Sequence, residues 1–199
     1  MDGFERRRLE KKQAILTAAL DLFNKFGFKK VSIAEIAKKA HVSPVSIYNF
    51  FESKDNLRRE IIGALLVNEL EEIRTMVKSS MPFVDKINKY VSMRALTGND
   101  LHSGFVFDAV ESDSVLRERF EHYSAQNKEL IFEFVAQGKE QGFFDKDISD
   151  KAISLYIDIF QSYMLHNESA SRALKDDSLL AEELSMLFLD GLIRSPKND

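Results

Sequence analysis

An all-α fold is predicted for this 199-residue chain, and three observations predict it. Only 3 Pro and 8 Gly interrupt the sequence, so helix breakers are scarce. Apolar residues recur at i, i+3 and i+4 along most of its length, and no stretch alternates as a half-buried strand does. The clearest interruptions carry cap chemistry, with Ser before an apolar run or Gly after one. About nine helices are expected. Residues 1–53 would form a head and residues 54–199 a second domain.

In the first helix Ile15, Ala19, Leu22, Phe23 and Phe26 share a face, and Gly27 ends it. Ser32 is a candidate N-cap, with Glu35 three residues on to complete a capping box. Ile33, Ile36, Ala37 and Ala40 then form one apolar face. Ala40-His41-Val42 breaks the period. Ser43 caps a new start and Pro44 suits the first helical position. In this short helix Ile47, Phe50 and Phe51 form the buried side, leaving Val45, Ser46, Tyr48 and Asn49 outward. Two short helices about a tight turn, the second showing small polar groups and a phenol, are how a helix-turn-helix offers a recognition helix to the DNA major groove.

With Ile36-Ala37, Ala40, Val42-Ser43, Ile47-Tyr48, Phe50-Phe51, Lys54 and Leu57 at these spacings, the segment resembles the DNA-binding domain of the TetR (tetracycline-repressor-like) transcriptional regulators. Residues 10–57 carry the match; the remainder agrees in length and helical layout. Two positions depart from the family pattern. His41 stands where Gly is usual, at a left-handed turn position that His tolerates with some strain. Phe50 stands where many members carry Tyr or His, which removes a phosphate donor.

The resemblance implies roles for individual residues. Tyr48 would grip a phosphate, Ser32 and Ser43 would cap helices and meet the DNA backbone, and Lys54 would face a phosphate at the start of the fourth helix. Val45, Ser46 and Asn49 are candidates for base edges, and Pro44 offers apolar contact alone.

Charge is distributed to match. Net charge is −4, yet residues 1–60 hold 13 Lys+Arg against 8 Asp+Glu while residues 61–199 hold 15 against 24. A basic head on an acidic body suits a protein that meets DNA with one end. Arg6, Arg7, Arg8, Lys11 and Lys12 form either an arm along the duplex or a solvated helix start.

From Lys54 a helix should run to about Ser79, before Met81-Pro82. Further helices are expected at about 83–97, 102–111, 113–141, 149–168 and 176–194, with breaks at Gly98-Asn99-Asp100, Gly142 to Asp147 and Asn167 to Asp177. In the penultimate helix Ile153, Tyr156, Ile157, Phe160, Tyr163 and Met164 form one stripe, and Leu155, Ile159 and Ser162 part of another. In the last, Leu180, Leu184, Leu187, Phe188, Gly191 and Leu192 form the main stripe, with Leu179, Leu189 and Ile193 off it. Helices apolar on two sides are buried on two sides. The resemblance implies that this pair meets its copy in a homodimer, which sets two recognition helices on a near-palindromic operator. It also implies a pocket for a small effector. Met93, Phe105, Phe107, Tyr123, Phe160 and Tyr163 would line it, with Asn127, His122 or His102 as polar anchors. A protein partner in place of that effector, or a structural chromosomal role, is the alternative.

Other chemistries find no support in the sequence. The chain has no Cys, which fits a reducing cytoplasm and excludes a disulfide framework. His41, His102, His122 and His166 lack metal-ligand spacing, and no metal or other cofactor is expected. Phosphate loops, nucleophile elbows and dinucleotide fingerprints are absent, so no catalytic residues are assigned. Glu111 and Asp113 read as ordinary features of a charged helix. Neither a signal peptide nor a membrane span is expected.

Overall fold

The computed structural model describes residues 2–101, 104–167, 169–170, 173–174 and 177–192; side chains at 94–101, 104, 160–162 and 164–166 are not described. Among the described residues all regular structure is helical, in nine helices: α1 (Gly3–Phe26), α2 (Ile33–Lys39), α3 (Pro44–Phe51), α4 (Lys54–Lys78), α5 (Phe83–Leu101), α6 (Gly104–Ser112), α7 (Ser114–Glu140), α8 (Asp150–His166) and α9 (Ser178–Asp190).

Local chemistry sets most of these boundaries. Asp2 begins α1 by accepting from the amides of Phe4 and Glu5. Ser32, Ser43, Ser53, Asp113, Ser149 and Asp177 cap α2, α3, α4, α7, α8 and α9 in the same way. Each side-chain oxygen satisfies an amide that the first helical turn leaves unpaired. Gly27 ends α1 at φ 81°. One expected break is absent, since α5 continues through Gly98-Asn99-Asp100 to Leu101. A single helical Gly costs only about 1 kcal/mol relative to Ala, which a long helix absorbs.

α4 links the two ends of the molecule. It packs along α7 and α5, while its first turns also meet α1 and α3. α9 lies on α5, and α8 on α7. One continuous core runs from Ile15, Phe23 and Ile47 through Leu57, Ile62 and Ile73 to Phe83, Phe134 and Ile157. At the far end Phe83 stacks on Phe134 at 4.9 Å and meets Phe144 edge-on at 5.5 Å. Gly138 makes room for those rings, because a Cβ there would lie 2.8 Å from Cζ of Phe83.

Several apolar residues lie elsewhere than periodicity assigns them. Phe26 is half exposed and leaves the α1 face, where Ala18 is buried instead. On α8, Tyr163 is exposed along with Leu155 and Ile159, while Ile153 and Ile157 are buried. On α9, Leu187 is exposed and Leu189 buried, the reverse of their expected places. A stripe shows which residues share a side; the neighbouring helix decides which side is covered.

Candidate nucleic-acid interface

α2 and α3 meet at a turn that needs one left-handed residue, and His41 supplies it at φ 55°. The amide of Val42 then bonds back to the carbonyl of Ala37 at 3.0 Å. Ile36, Ala37, Ile47 and Phe51 anchor the two helices in the core. Above that anchor Val45 is 64% exposed and Tyr48 51%, with Ser43, Pro44 and Asn49 exposed beside them. α3 therefore shows an apolar branch, a phenol and an amide on one open face. That set can hydrogen-bond phosphates and base edges and touch a thymine methyl.

Three candidate residues are engaged otherwise. The hydroxyl of Ser32 donates to the Glu35 carboxylate at 2.6 Å while accepting the Glu35 amide at 3.2 Å. These bonds, with the Ser32 amide, hold the Glu35 carboxyl below the usual carboxylate range. Ser46 is half-buried, its hydroxyl 2.9 Å from that of Ser43. Lys54 turns inward: its ammonium donates to the carbonyl of Phe28 and lies 4.2 Å from the centroid of that ring. Burial pushes its pKa down. One of the three N–H donors of the Lys54 ammonium is thus committed to a local carbonyl, beside the capped start of α4.

The cations at the chain start lie on helix, since α1 begins at Gly3. Arg6 pairs with Glu10 and Lys12 with Glu60, whereas Arg8 lies over the ring of Phe50. Among the described residues this stretch is helix from Gly3 and not an extended arm.

Behind the interface a carboxylate ties α4 to α7. Asp113 accepts from Arg58 at 3.2 Å and from Arg59 at 2.8 Å, and also caps α7. The Arg59 hydrogen bond holds the Asp113 carboxyl below its ordinary value and raises that of Arg59 in return. Arg58 also lies 4.3 Å from the Phe28 ring centroid, so one buried guanidinium joins the α1–α2 loop to the α7 start. Sequence reading passed over Asp113. Its one local signal was an Asp directly before a helical run, the N-cap preference.

The described effector candidates differ in their surroundings. Phe105 packs on Phe23 of α1 at 5.1 Å, a junction rather than a pocket wall. Phe107 is half-buried, Tyr163 is on the outside, and the side chain of Phe160 lies outside the described residues. His102 also lies outside them, and His122 is exposed beside Gln126. Met93, Tyr123 and Asn127 remain, all buried. Asn127 is 3% exposed, and its side-chain oxygen has no hydrogen-bond donor among the described residues. A groove of about 490 Å³ in the head lies between α1 and the turn, lined in part by Gln13, Thr17 and His41. Among the described residues no group of three acidic or imidazole side chains is placed to hold a metal, and no helix is long and apolar enough to cross a membrane.

Residues 15–61 match the model of the bacterial regulatory proteins of the tetR family. The chain is 32% identical over 81 residues to the uncharacterized HTH-type transcriptional regulator YhgD of Bacillus subtilis, covering 41% of this chain and 42% of that protein. It is 31% identical over 90 residues to the HTH-type transcriptional regulator RutR of Escherichia coli, covering 45% and 42%. These matches span less than half the length of either relative. Over 94% of the chain the fold follows that of reduced NemR of E. coli, covering 99% of the latter with a TM-score of 0.68 at 14% identity, a likeness of fold alone.

Proposed function

As the chain belongs to the tetR family of bacterial regulatory proteins, we propose that it is a homodimeric transcriptional regulator, a repressor released from a near-palindromic operator by a small apolar or aromatic effector. It works in the cytoplasm and carries no catalytic site. Residues 1–53 form the DNA-binding domain; residues 54–199 hold the effector and the dimer contact. The observation that carries this reading is the open face of α3, where Val45, Tyr48 and Asn49 project above buried Ile47 and Phe51. Asn49 would read a base edge and Tyr48 a phosphate, with Ser43 and Pro44 at the helix start and the capped α4 N-terminus beside them.

The dimer reading is supported by the second exposed face. Leu155, Ile159 and Tyr163 on α8 and Leu179, Met186 and Leu187 on α9 are each more than half exposed. Paired with a second copy, they would leave water and set two heads on successive turns of DNA. The effector reading is supported by Asn127, whose buried oxygen would accept a hydrogen bond from a donor group on the ligand. The ligand acts by preferring one head spacing over another, since only differential affinity shifts the equilibrium.

The test is recovery of fragmented genomic DNA by the purified protein at near-physiological salt, followed by sequencing. A near-palindrome beside a few genes is expected. Retention of no DNA even at low salt would sink the reading. Diffuse recovery across the genome would favour a structural chromosomal role.

A further inference from the structure

Part of the positive charge in the first sixty residues is already paired with carboxylates. Arg6 pairs with Glu10, Lys12 with Glu60, Lys39 with Asp21, and Arg58 and Arg59 share Asp113. Lys54 is turned onto the Phe28 carbonyl. Arg8 differs from all of these. It is exposed, no carboxylate pairs with it among the described residues, and its guanidinium carbon lies 5.7 Å from the centroid of the Phe50 ring.

Phe50 belongs to α3, the helix that presents Val45, Tyr48 and Asn49. Its ring is half-buried and packs against the head's core, so it does not swing freely. It has no polar atom of its own. A guanidinium drawn to an aromatic face engages no hydrogen-bond acceptor there, so its five N–H donors stay available. It also keeps its full charge and the planar fork that suits a phosphate. The result is an unpaired cation drawn to a ring beside an open polar helix face.

We propose that Arg8 is a phosphate-binding residue of the DNA interface, held beside α3 by the ring of Phe50. This rests on the DNA-binding reading above. Arg7 is the natural control, because it is the adjacent exposed arginine of the same helix turn and has no aromatic partner among the described residues.

The experiment measures affinity of the full-length protein for a random-sequence 30-base-pair duplex across a salt series. Each phosphate contact contributes about 0.9 to the slope of log K against log salt. Arg8→Gln should lower that slope by about 0.9 for each bound head. Phe50→Leu keeps an apolar side chain without a π-face, and should produce part of the same loss. The double variant should lose no more than Arg8→Gln alone, and Arg7→Gln should lose less. Circular dichroism and thermal melts establish that each variant is folded. If Phe50→Leu does not fold, the contrast between Arg8→Gln and Arg7→Gln still decides. A wild-type slope in Arg8→Gln, with the wild type binding normally, would overturn this proposal alone. Equal losses in Arg7→Gln and Arg8→Gln would overturn the role of the ring. A wild type that binds no duplex at any salt would overturn both this proposal and the DNA-binding reading.

Discussion

The molecule shows two exposed helix faces that could hardly differ more in chemistry. On α3 the open residues are Val45, Tyr48 and Asn49, beside the cap Ser43 and the first helical residue Pro44, with Arg8 at one side. On α8 and α9 they are Leu155, Ile159, Tyr163, Leu179, Met186 and Leu187. Water solvates the first face at no cost, and a charged, hydrated partner such as DNA can replace that water contact by contact. The second face is costly to leave wet, since each large apolar side chain gains about 1.5–3 kcal/mol when covered. Polar surface waits for a ligand; the exposed apolar residues are where association with a second copy is proposed.

The largest expected effect breaks the apolar face. Leu155→Glu would place a carboxylate in the proposed contact between copies. It should raise the dimer dissociation constant about a thousandfold, about 4 kcal/mol, while leaving the helical circular dichroism unchanged. Sedimentation equilibrium reads the shift, and an unchanged association state would remove α8 from the dimer contact.

The next effect concerns what joins the two ends. Asp113→Asn takes the buried carboxylate from both Arg58 and Arg59, leaving Arg58 the exposed Asp55, and should cost about 3 kcal/mol in denaturant unfolding. The Asp113 carboxyl is held below its unfolded value of 3.8, so its contribution is fully present above that pH. It is lost as pH falls further, through the folded value. Wild-type stability should therefore drop on that acid limb, and Asp113→Asn should flatten it. A variant with the same acid limb as wild type would show that Asp113 is not the group responsible.

Substitutions on the polar face should act on binding, not on folding. Asn49→Ala is expected to cost about 1–3 kcal/mol on the operator and to relax preference at one base position. Tyr48→Phe should weaken operator and random duplex about equally, by about 1 kcal/mol. Equal losses from both variants on both DNAs would exclude these separate roles. The smallest expected effect lies beneath that face. His41→Gly relieves a left-handed backbone worth about 1 kcal/mol, partly offset by the greater freedom of Gly when unfolded. The melting temperature should rise by a few degrees or less.

Helix positions and caps could be read along the chain because a cap, a turn and an amphipathic period are local. Ser32 with Glu35, Ser43 with Pro44, and His41 between them act on amides within four residues, and the structure has each where the sequence predicts it. The open side of α3 follows from the same periodicity, since Ile47 and Phe51 must be inward for the helix to dock. The choice of partner was not local. Lys54 reads as a surface cation, yet the carbonyl of Phe28, 26 residues earlier, accepts its hydrogen bond. Asp113 reads as one acid among many, until Arg58 and Arg59 arrive from 55 and 54 residues away. Tyr163 and Leu187 read as core, until α8 and α9 present those sides to solvent.

The sequence by itself determined an all-helical chain with a helix-turn-helix near its start, because backbone hydrogen bonding and capping are satisfied within a few residues. Only the tertiary structure decided which charges are neutralised and which apolar stripe stays uncovered, because those depend on what a distant segment brings against them.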